Sequence, residues 1–382
     1  MRPLQDLFVL DFSTLLPGPM ATLLLAEAGA EVVKIERPGR GEEMRSYEPR
    51  WGRDSINFAL LNRGKKSVAL DLKSEKDLAI AVGLAARADV LVEQFRPGVM
   101  DKLGLGHDAL AKINPKLIYC SISGYGQTGP NRDRAGHDLN YIGDSGLLSL
   151  AMGPPDHPTI PPALIADLAG GAYPAVMNIL LALESRHRTG LGCRLDIAMA
   201  ENLFPLMYWA IGNAETAGQW PSNGGDLVTG GSPRYRLYAT RDGRRVAAAP
   251  LEDKFWAAFC DLIDLQPALR DGSADPKRTA DRIAEIIAGE DAEHWAQRFQ
   301  SVDCCCSIVA NLQDALQDSH FVARGVFGRR LTNEEGLTTA ALPTPIAPLF
   351  RGPPERAETA PLLGAHNGEF RHGGAPPRAK AL

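Results

Sequence analysis

The chain has 382 residues, of which 45% are hydrophobic and 23% are charged, a composition typical of soluble globular proteins and sufficient for two domains. Its formal net charge of -5 argues against general nucleic-acid binding, which needs a basic field. Asp6 and Asp11 interrupt the N-terminal apolar stretch, and no apolar run approaches the roughly 18 residues of a membrane span. We therefore expect a cytoplasmic protein with no membrane partner.

One segment departs from this acidic average. Between Lys34 and Lys66, nine Lys or Arg residues stand against five acidic residues. Such an excess favours a small polyanionic ligand, although a basic solvent-exposed face is an equally good interpretation. The six cysteines include three in a row at 304–306 but no CxxC pair, so we predict reduced, partly buried thiols and no metal site.

β-rich runs and segments of helical period alternate through the first 125 residues. This alternation predicts a parallel, doubly wound α/β sheet. The first helix is predicted in PGPMATLLLAEAG (17–29). The predicted strands are LFVLDF (7–12), EVVKIE (31–36), SVALDL (67–72), DVLVEQF (89–95) and KLIYCSISGYG (116–126).

The turn after the first strand bears on the ligand. Glu36 ends the second strand, as the ribose-binding acid of a dinucleotide site does, but the turn LLPGPMA contains no GxGxxG. The prolines that flank Gly18 lack the N–H donors that a pyrophosphate would need. We therefore predict no NAD site.

The second half of the chain changes character several times. A proline-rich loop at 153–162 precedes a long helix that ends at Gly190, which places Asp167 at or just before its N-terminus. A strand (193–199) and an apolar helix (202–212) follow. A glycine-rich linker or mobile loop at 222–233 leads to a hairpin turning at Asp242-Gly243 and to amphipathic helices up to about 320.

The predicted domains follow from these changes. Residues 1–200 form a large Rossmann-like domain, 201–224 a linker and 225–320 a smaller α+β domain. The last sixty residues are rich in Pro, Gly and Arg and need the first domain or a partner chain to become ordered. Residues from about 325 to 382 are accordingly predicted to complete the large domain.

Three ionisable residues lie at element edges, where scaffolds present reactive groups: His137, Asp167 and Glu252. Each also has a structural interpretation. His137 suits a hydrogen-bonded loop histidine, Asp167 a helix cap, and Glu252 an acid in a first helical turn. Taken singly, none of the three establishes an active site.

Together with their surroundings, these residues resemble a known family. The sequence is similar to the class III CoA transferase (CaiB/BaiF) family and, within it, to the branch of α-methylacyl-CoA racemases. The resemblance spans nearly the whole chain. Its motifs are DFSTLLPGPMATLLLAEAGAEVVKIERP, LNRGKKSVALDLK, DVLVEQFRPGVMDKLGLG, ISGYGQTGP, GHDLNY, ADLAGG and the glycine loop before SPRY.

The resemblance implies two domains, an interlocked homodimer and an acyl-CoA substrate. CoA is then part of the thioester, with no prosthetic group. In the transferase members, the aspartate matching Asp167 attacks the thioester. In the racemase members it works as an acid-base residue with a histidine matching His137, supported by a glutamate matching Glu252. Because transferases usually lack that histidine, His137 favours epimerisation of 2-methylacyl-CoA.

The resemblance also implies CoA contacts. Arg37, Lys65 and Arg96 are expected to meet the phosphates and adenosine part, and Asp138 to lie near the pantetheine. For the enolate-like oxygen we predict a main-chain N–H of Asp167 or Leu168 as donor.

The acyl tail and the activity itself remain open in the sequence. Residues 206–209 and the glycine loop at 224–231 either line an acyl pocket or, for the first set, form a core helix. Two functional alternatives stay open: CoA transfer through Asp167, and CoA binding without catalysis.

Overall fold

The structure is a computed structural model that describes residues 2–353 and 357–371. Its described part divides into two compact units. Unit 1 comprises the described residues within 1–145, 162–204 and 319–382, and unit 2 comprises 146–161 and 205–318. The domain limits predicted from the sequence stay a prediction, and each unit is described by itself.

Unit 1 begins with alternating strands and helices. They are β1 (Phe8–Asp11), α1 (Pro17–Glu27), β2 (Glu31–Glu36), β3 (Arg50–Trp51), β4 (Asp54–Ser55), α2 (Ile56–Asn62), β5 (Lys66–Ala69), α3 (Glu75–Ala85), β6 (Val90–Glu93), α4 (Val99–Lys102), α5 (His107–Ile113), β7 (Ile118–Ser123), α6 (Asp138–Asp144), α7 (Tyr173–Thr189) and β8 (Cys193–Ala198).

Six of these strands form one parallel sheet in the described residues, in the order β5-β2-β1-β6-β7-β8. Val9 in β1 pairs with Val32 on one side and Val90 on the other. The order reverses between β1 and β6, which is the topological switch point where ligands of such sheets bind. The predicted α/β class with a large parallel sheet is confirmed.

Strands β1, β6 and β7, in the middle of the sheet, are buried on both faces, whereas the edge strand β8 is partly exposed. Helix α1 is buried along its whole length, and a Cβ added at Gly18 would lie 2.1 Å from Cβ of Ser13. Only a glycine permits that approach. The turn after β1 therefore packs directly against the start of α1.

The helix that carries Asp167 starts differently from the prediction. Residues Ala166–Ala172 form a wide π-helical turn that runs directly into α7, which ends at Gly190 in the left-handed conformation (φ 76°). Asp167 is the second residue of this turn, and within the described residues its side chain makes no capping hydrogen bond. The predicted place of Asp167 at the helix start thus holds to within one residue, whereas its interpretation as a helix cap was wrong.

Within the described residues, one helix, Ala166–Thr189, is long and apolar enough to cross a membrane, judged by length and composition alone. Core helices of globular proteins meet the same criterion, and Ala175, Ile179 and Ala182 are buried in unit 1. The expectations of a cytoplasmic location and of no membrane contact stay predictions.

Unit 2 contains a small antiparallel sheet and several helices. They are α8 (Tyr208–Ala217), β9 (Arg236–Ala239), β10 (Arg245–Ala248), α9 (Asp253–Leu262), α10 (Pro276–Ile287), α11 (Ala292–Ser301), β11 (Cys306–Ile308) and α12 (Leu312–Gln317). The predicted hairpin is confirmed as β9 and β10, with Gly243 at φ 79° in its turn. Trp256, Phe259 and Trp295 lie in its core.

The C-terminal segment returns to unit 1. Its elements are α13 (Ser319–Ala323), β12 (Arg330–Thr332), β13 (Thr338–Ala340) and α14 (Asn367–Phe370). The main-chain N–H of Ala69 donates to the Asn367 side chain at 2.8 Å, and the N–H of His366 donates to the Ser67 carbonyl at 3.0 Å. Phe370 is buried in the core of the parallel sheet. The end of the described segment thus packs against the edge strand β5, whereas Leu331 and Ala341 pack against Ala59 of α2.

Candidate active site

A pocket of about 480 Å³ lies in unit 1 at the carboxyl ends of β1, β6, β7 and β8. It therefore occupies the switch-point edge of the sheet. Its lining residues come from the turns that follow these strands, from the loop before α6 and from the π-helical turn. They are Leu15, Pro17, 94–97, 122–124, Arg132, 134–137, 140–141, Asp167 and Met199.

His137 and Asp167 both line this pocket. His137 directly precedes α6, and its main-chain N–H donates to the Asn140 side chain at 3.0 Å. Its imidazole is exposed, whereas Asp167 is half-buried. The fold thus brings together two candidate acid-base groups that stand thirty residues apart in the sequence. Their catalytic roles stay a prediction.

The carboxyl group of Asp167 is held away from its ordinary titration range. Burial raises the pKa of Asp167 to about 7, and the nearby negative charge of Asp138 contributes in the same direction. A carboxyl group with this pKa exchanges protons near neutrality, as an imidazole does.

Asp138 contacts the main chain of Asp167. Its side chain is buried, and its Oδ1 accepts the N–H of Asp167 at 3.0 Å. The N–H of Leu168 donates to the Leu164 carbonyl at 3.1 Å. Both predicted oxyanion donors therefore have acceptors within the fold, and their role toward an enolate-like oxygen stays a prediction. The turn widens before the helix, so these amides do not have the free positions of a regular helix start.

Tyr141 was missed by the sequence reasoning. Its hydroxyl donates to the Gly136 carbonyl at 2.5 Å, directly before His137. A Cβ at Gly124 would lie 2.4 Å from the Tyr141 ring, so this glycine makes room for the ring. Burial raises the pKa of Tyr141, with Asp167 as a further cause, which keeps the hydroxyl protonated. The spacing of Tyr141 four residues after His137, one helical turn later, was the available signal.

Gln94 and Leu15 were missed as well. The Gln94 side-chain oxygen accepts the main-chain N–H of Gly18 at 3.0 Å and so ties α1 to the end of β6. Leu15 has φ 62°, a left-handed conformation that costs a non-glycine residue about 1 kcal/mol. Both residues line the pocket. From the sequence of this region we infer only that it lacks a dinucleotide fingerprint.

The basic side chains of the pocket come from two loops. Arg96 follows β6 and is exposed, as its predicted role in phosphate binding requires. Arg132 and Arg134 also line the pocket, and Arg134 forms an ion pair with Asp144 at 2.9 Å. The sequence reasoning assigned no role to these two arginines because they lie outside the basic segment at 34–66.

Much of that basic segment serves the interior of unit 1. Lys65 is buried, and the acceptors around its ammonium are Asp11 Oδ2 at 3.0 Å, Pro19 O at 2.9 Å, Thr22 Oγ1 at 2.8 Å and Asn62 Oδ1 at 2.9 Å. Burial lowers its pKa to about 8. Each of the three ammonium protons thus has an acceptor in the fold, which leaves none for a phosphate.

Two other basic residues of the segment 34–66 are also buried in ion pairs. Lys34 is fully buried and forms an ion pair with Glu42 at 3.0 Å, and Arg45 is buried between Glu36 and Asp54. Arg37 instead stays exposed beside Glu43. The charge excess in the sequence therefore overstates the positive surface that this segment offers to a ligand.

Glu252 lies in unit 2, exposed and directly before α9. The hydrophobic set at 206–209 is also in unit 2, and its members differ. Met207 packs with Leu150 in a small core cluster, whereas Tyr208 is 76% exposed. The core interpretation therefore holds for Met207 and not for Tyr208.

The fold and pocket define an α/β protein with a large parallel sheet and a pocket at its switch-point edge. Residues 4–367 match CoA-transferase family III, and the chain belongs to this family. It is 35% identical to the alpha-methylacyl-CoA racemase of Mus musculus over 371 residues, which is 96% of this chain and 92% of that protein.

Other relatives carry the transferase name. The chain is 33% identical to the acetyl-CoA:oxalate CoA-transferase of Acetobacter aceti over 392 residues, covering 99% of this chain and 97% of the relative. The crystal structure of a CAIB/BAIF family protein from Brucella suis superposes with a TM-score of 0.79 and 27% identity, covering 98% of this chain and 99% of that one. The resemblance seen in the sequence is confirmed at the level of the family.

Proposed function

We propose that the protein interconverts the (R) and (S) epimers of 2-methylacyl-CoA thioesters. The observation that carries this proposal is that His137 and Asp167 line one pocket. One group takes the proton from Cα, whose bonding electrons move into the thioester carbonyl as an enolate. The other group returns a proton to the opposite face. The roles exchange with the epimer bound, so no proton is gained or lost overall.

The electrostatics of Asp167 support this role. Proton transfer is most efficient when donor and acceptor have similar proton affinities near the working pH. A carboxyl with a pKa of about 7 meets this condition beside an imidazole. The supporting role of Glu252, which lies in unit 2, stays a prediction from the family resemblance.

The CoA part of the substrate is proposed to meet Arg96 at the pocket and the exposed Arg37. Guanidinium groups suit phosphate because their donors form a planar fork. Lys65 has a more limited part: its buried ammonium holds the end of β1 against α1 and α2 beneath this region. The reaction as proposed needs no prosthetic group, since CoA belongs to the substrate.

Deuterium exchange tests the proposal. Each epimer of a 2-methylacyl-CoA is incubated in deuterated buffer, and Cα is followed by NMR with the wild type and with His137→Ala and Asp167→Ala. We expect both variants to lose epimerisation and each to retain exchange with one epimer, the opposite one for each variant. His157→Ala, a change of an exposed histidine in unit 2, is the matched control. No exchange and no epimerisation by the wild type would refute the proposal.

The transferase relatives favour a second function, transfer of CoA to a free acid. The Asp167 carboxylate would then attack the thioester carbonyl. The C–S bond would break with release of CoA thiolate, and an acyl-aspartyl anhydride would form on Asp167. This reaction predicts a new thioester that depends on the acceptor acid, and an adduct on Asp167 that hydroxylamine traps. Tight CoA binding without either turnover would instead indicate a binding protein.

A further inference from the structure

We propose that Asp138 is a positioning residue for Asp167, accepting its main-chain N–H and placing a fixed negative charge beside its carboxyl group. The part of this proposal that concerns proton transfer rests on the proposed function. The contact itself is independent of that function, and the test separates the two.

The geometry connects the two candidate proton-transfer groups. Asp138 is the first residue of α6 and only 4% exposed, and its Oδ1 lies 3.0 Å from the nitrogen of Asp167. His137 is its direct neighbour in the chain. The hydrogen bond therefore fixes the main chain of Asp167 relative to that of His137. A charged acceptor in a buried site makes this bond stronger than one between neutral groups.

The negative charge of Asp138 also affects the pKa of Asp167. Two carboxylates close together disfavour double ionisation, and one of them then holds its proton to higher pH. Burial is the larger cause of the raised pKa of Asp167, and Asp138 is the second. Asp138 accepts the Asp167 N–H, and its negative charge adds to the burial that makes Asp167 hold its proton to higher pH.

Other groups around Asp167 do not oppose this arrangement. The neighbouring turn after β1 and the end of β8 present neutral side chains, Pro17 and Met199. Tyr141, on α6, has a raised pKa of its own and stays neutral. The remaining ionisable groups that line the pocket are His137, Arg96, Arg132 and Arg134. The causes of the raised pKa of Asp167 are burial and Asp138, and these basic groups do not reverse the shift.

The consequence for the reaction is a matched pair of bases. Without the Asp138 charge, the pKa of Asp167 would be lower and Asp167 would be a weaker base. At a given pH, the ratio of its protonated to its ionised form would fall about tenfold for each unit by which the pKa falls. Because the equilibrium between the epimers is fixed, both directions of the reaction would slow together. A residue that only stabilised the loop would not shift the titration of Asp167.

The test is an NMR titration of the full chain labelled with ¹³C at the aspartate carboxyl carbons. Asp167→Asn assigns the Asp167 signal. We expect a midpoint near neutrality in the wild type and a midpoint lower by about one pH unit in Asp138→Asn, which keeps a side-chain oxygen as acceptor. Asp133→Asn, a change of an exposed aspartate in the same loop, is the matched control and should leave the midpoint unchanged. An unchanged midpoint in a folded Asp138→Asn protein overturns the proposal.

A measurement on the wild type keeps the proposal testable if Asp138→Asn fails to fold. The nitrogen of Asp167 should show a scalar coupling through the hydrogen bond to the Asp138 carboxyl carbon, and its absence refutes the contact. Failure of the proposed function would appear differently. In that case the titration result stands, while the deuterium exchange at Cα is missing.

Discussion

At the scale of single residues, the site depends on a carboxyl group that burial keeps protonated. The folded state binds the Asp167 proton up to about pH 7, whereas an unfolded aspartate releases it near pH 4. Between these values the folded state holds more protons, so its stability falls as the pH rises. Above pH 7 the ionised, half-buried group destabilises the fold.

Asp167→Asn should therefore stabilise the protein at pH 8 by about 1–2 kcal/mol, a value reduced for the water that reaches the pocket. The gain should shrink as the pH falls from 7 toward 4, where both proteins carry a neutral group. Urea unfolding at a series of pH values measures this difference. Asp133→Asn is the control and should show no such dependence. A gain that is constant with pH would mean that Asp167 titrates normally.

Tyr141 gives a second prediction at this scale. Tyr141→Phe removes the hydroxyl that donates to the Gly136 carbonyl and leaves a buried acceptor without this bond. We expect a loss of about 1 kcal/mol in the free energy of unfolding. We also expect a lower kcat for epimerisation, because the main chain before His137 loses an anchor.

Tyr125→Phe is the matched control for this change. The Tyr125 hydroxyl also donates a hydrogen bond, to Asp144, but at an exposed position. Its removal should cost less stability and leave kcat unchanged. Equal effects of the two substitutions on kcat would contradict the positioning role of Tyr141.

At the scale of elements, the sequence predicted what depends on local pattern. The strand at 31–36 was predicted with its observed limits, because its Val and Ile residues are β-branched and Gly29 ends the helix before it. The π-helical form of the turn that carries Asp167 was not predicted. It depends on the contact of Gly170 with β8, which brings together residues about thirty positions apart and has no signal in either segment alone.

The same limit explains the basic segment. The sequence does not distinguish a lysine or arginine that is exposed to solvent from one that is buried in an ion pair. Arg63 is buried against Glu27 and Glu358, and the second partner is 295 positions away. Charge counting within 34–66 cannot include such partners, so it predicted a surface where the fold has an interior.

Substitution of Gly170 tests this contact between the π-helical turn and the end of β8. A Cβ there would lie 2.3 Å from the Met199 carbonyl oxygen, so Gly170→Ala must push the π-helical turn away from the end of β8. We expect a loss of about 1–3 kcal/mol in stability and a lower kcat, because Asp167 moves with the turn. Unfolding in urea and the deuterium-exchange assay measure the two effects.

The control is Gly83→Ala in α3, where no described atom lies within 4 Å of the added Cβ. Alanine in an open helical position should stabilise the protein by about 0.5–1 kcal/mol. A Gly170→Ala protein as stable as the wild type would show that the turn is not wedged against β8.

At the scale of the whole molecule, the described surface leaves large apolar side chains exposed. Trp220 is 78% exposed, Tyr208 76% and Leu349 80%. Exposed apolar side chains of this size, when they form a contiguous patch, mark interaction sites in soluble proteins. The family resemblance suggests a second copy of the chain as the partner, and we propose the interlocked homodimer on that resemblance.

An interlocked dimer behaves differently from one held by surface contact alone. Its chains separate only after unfolding, so dilution does not dissociate it, and two dimers with different tags do not exchange subunits in native buffer. We expect sedimentation velocity to give the mass of two chains down to nanomolar concentration. Mixed-tag dimers should form only when the two preparations are unfolded together and refolded. A monomer on dilution, or subunit exchange under native conditions, would favour an ordinary interface, because contacts between folded surfaces separate without passing through the unfolded state.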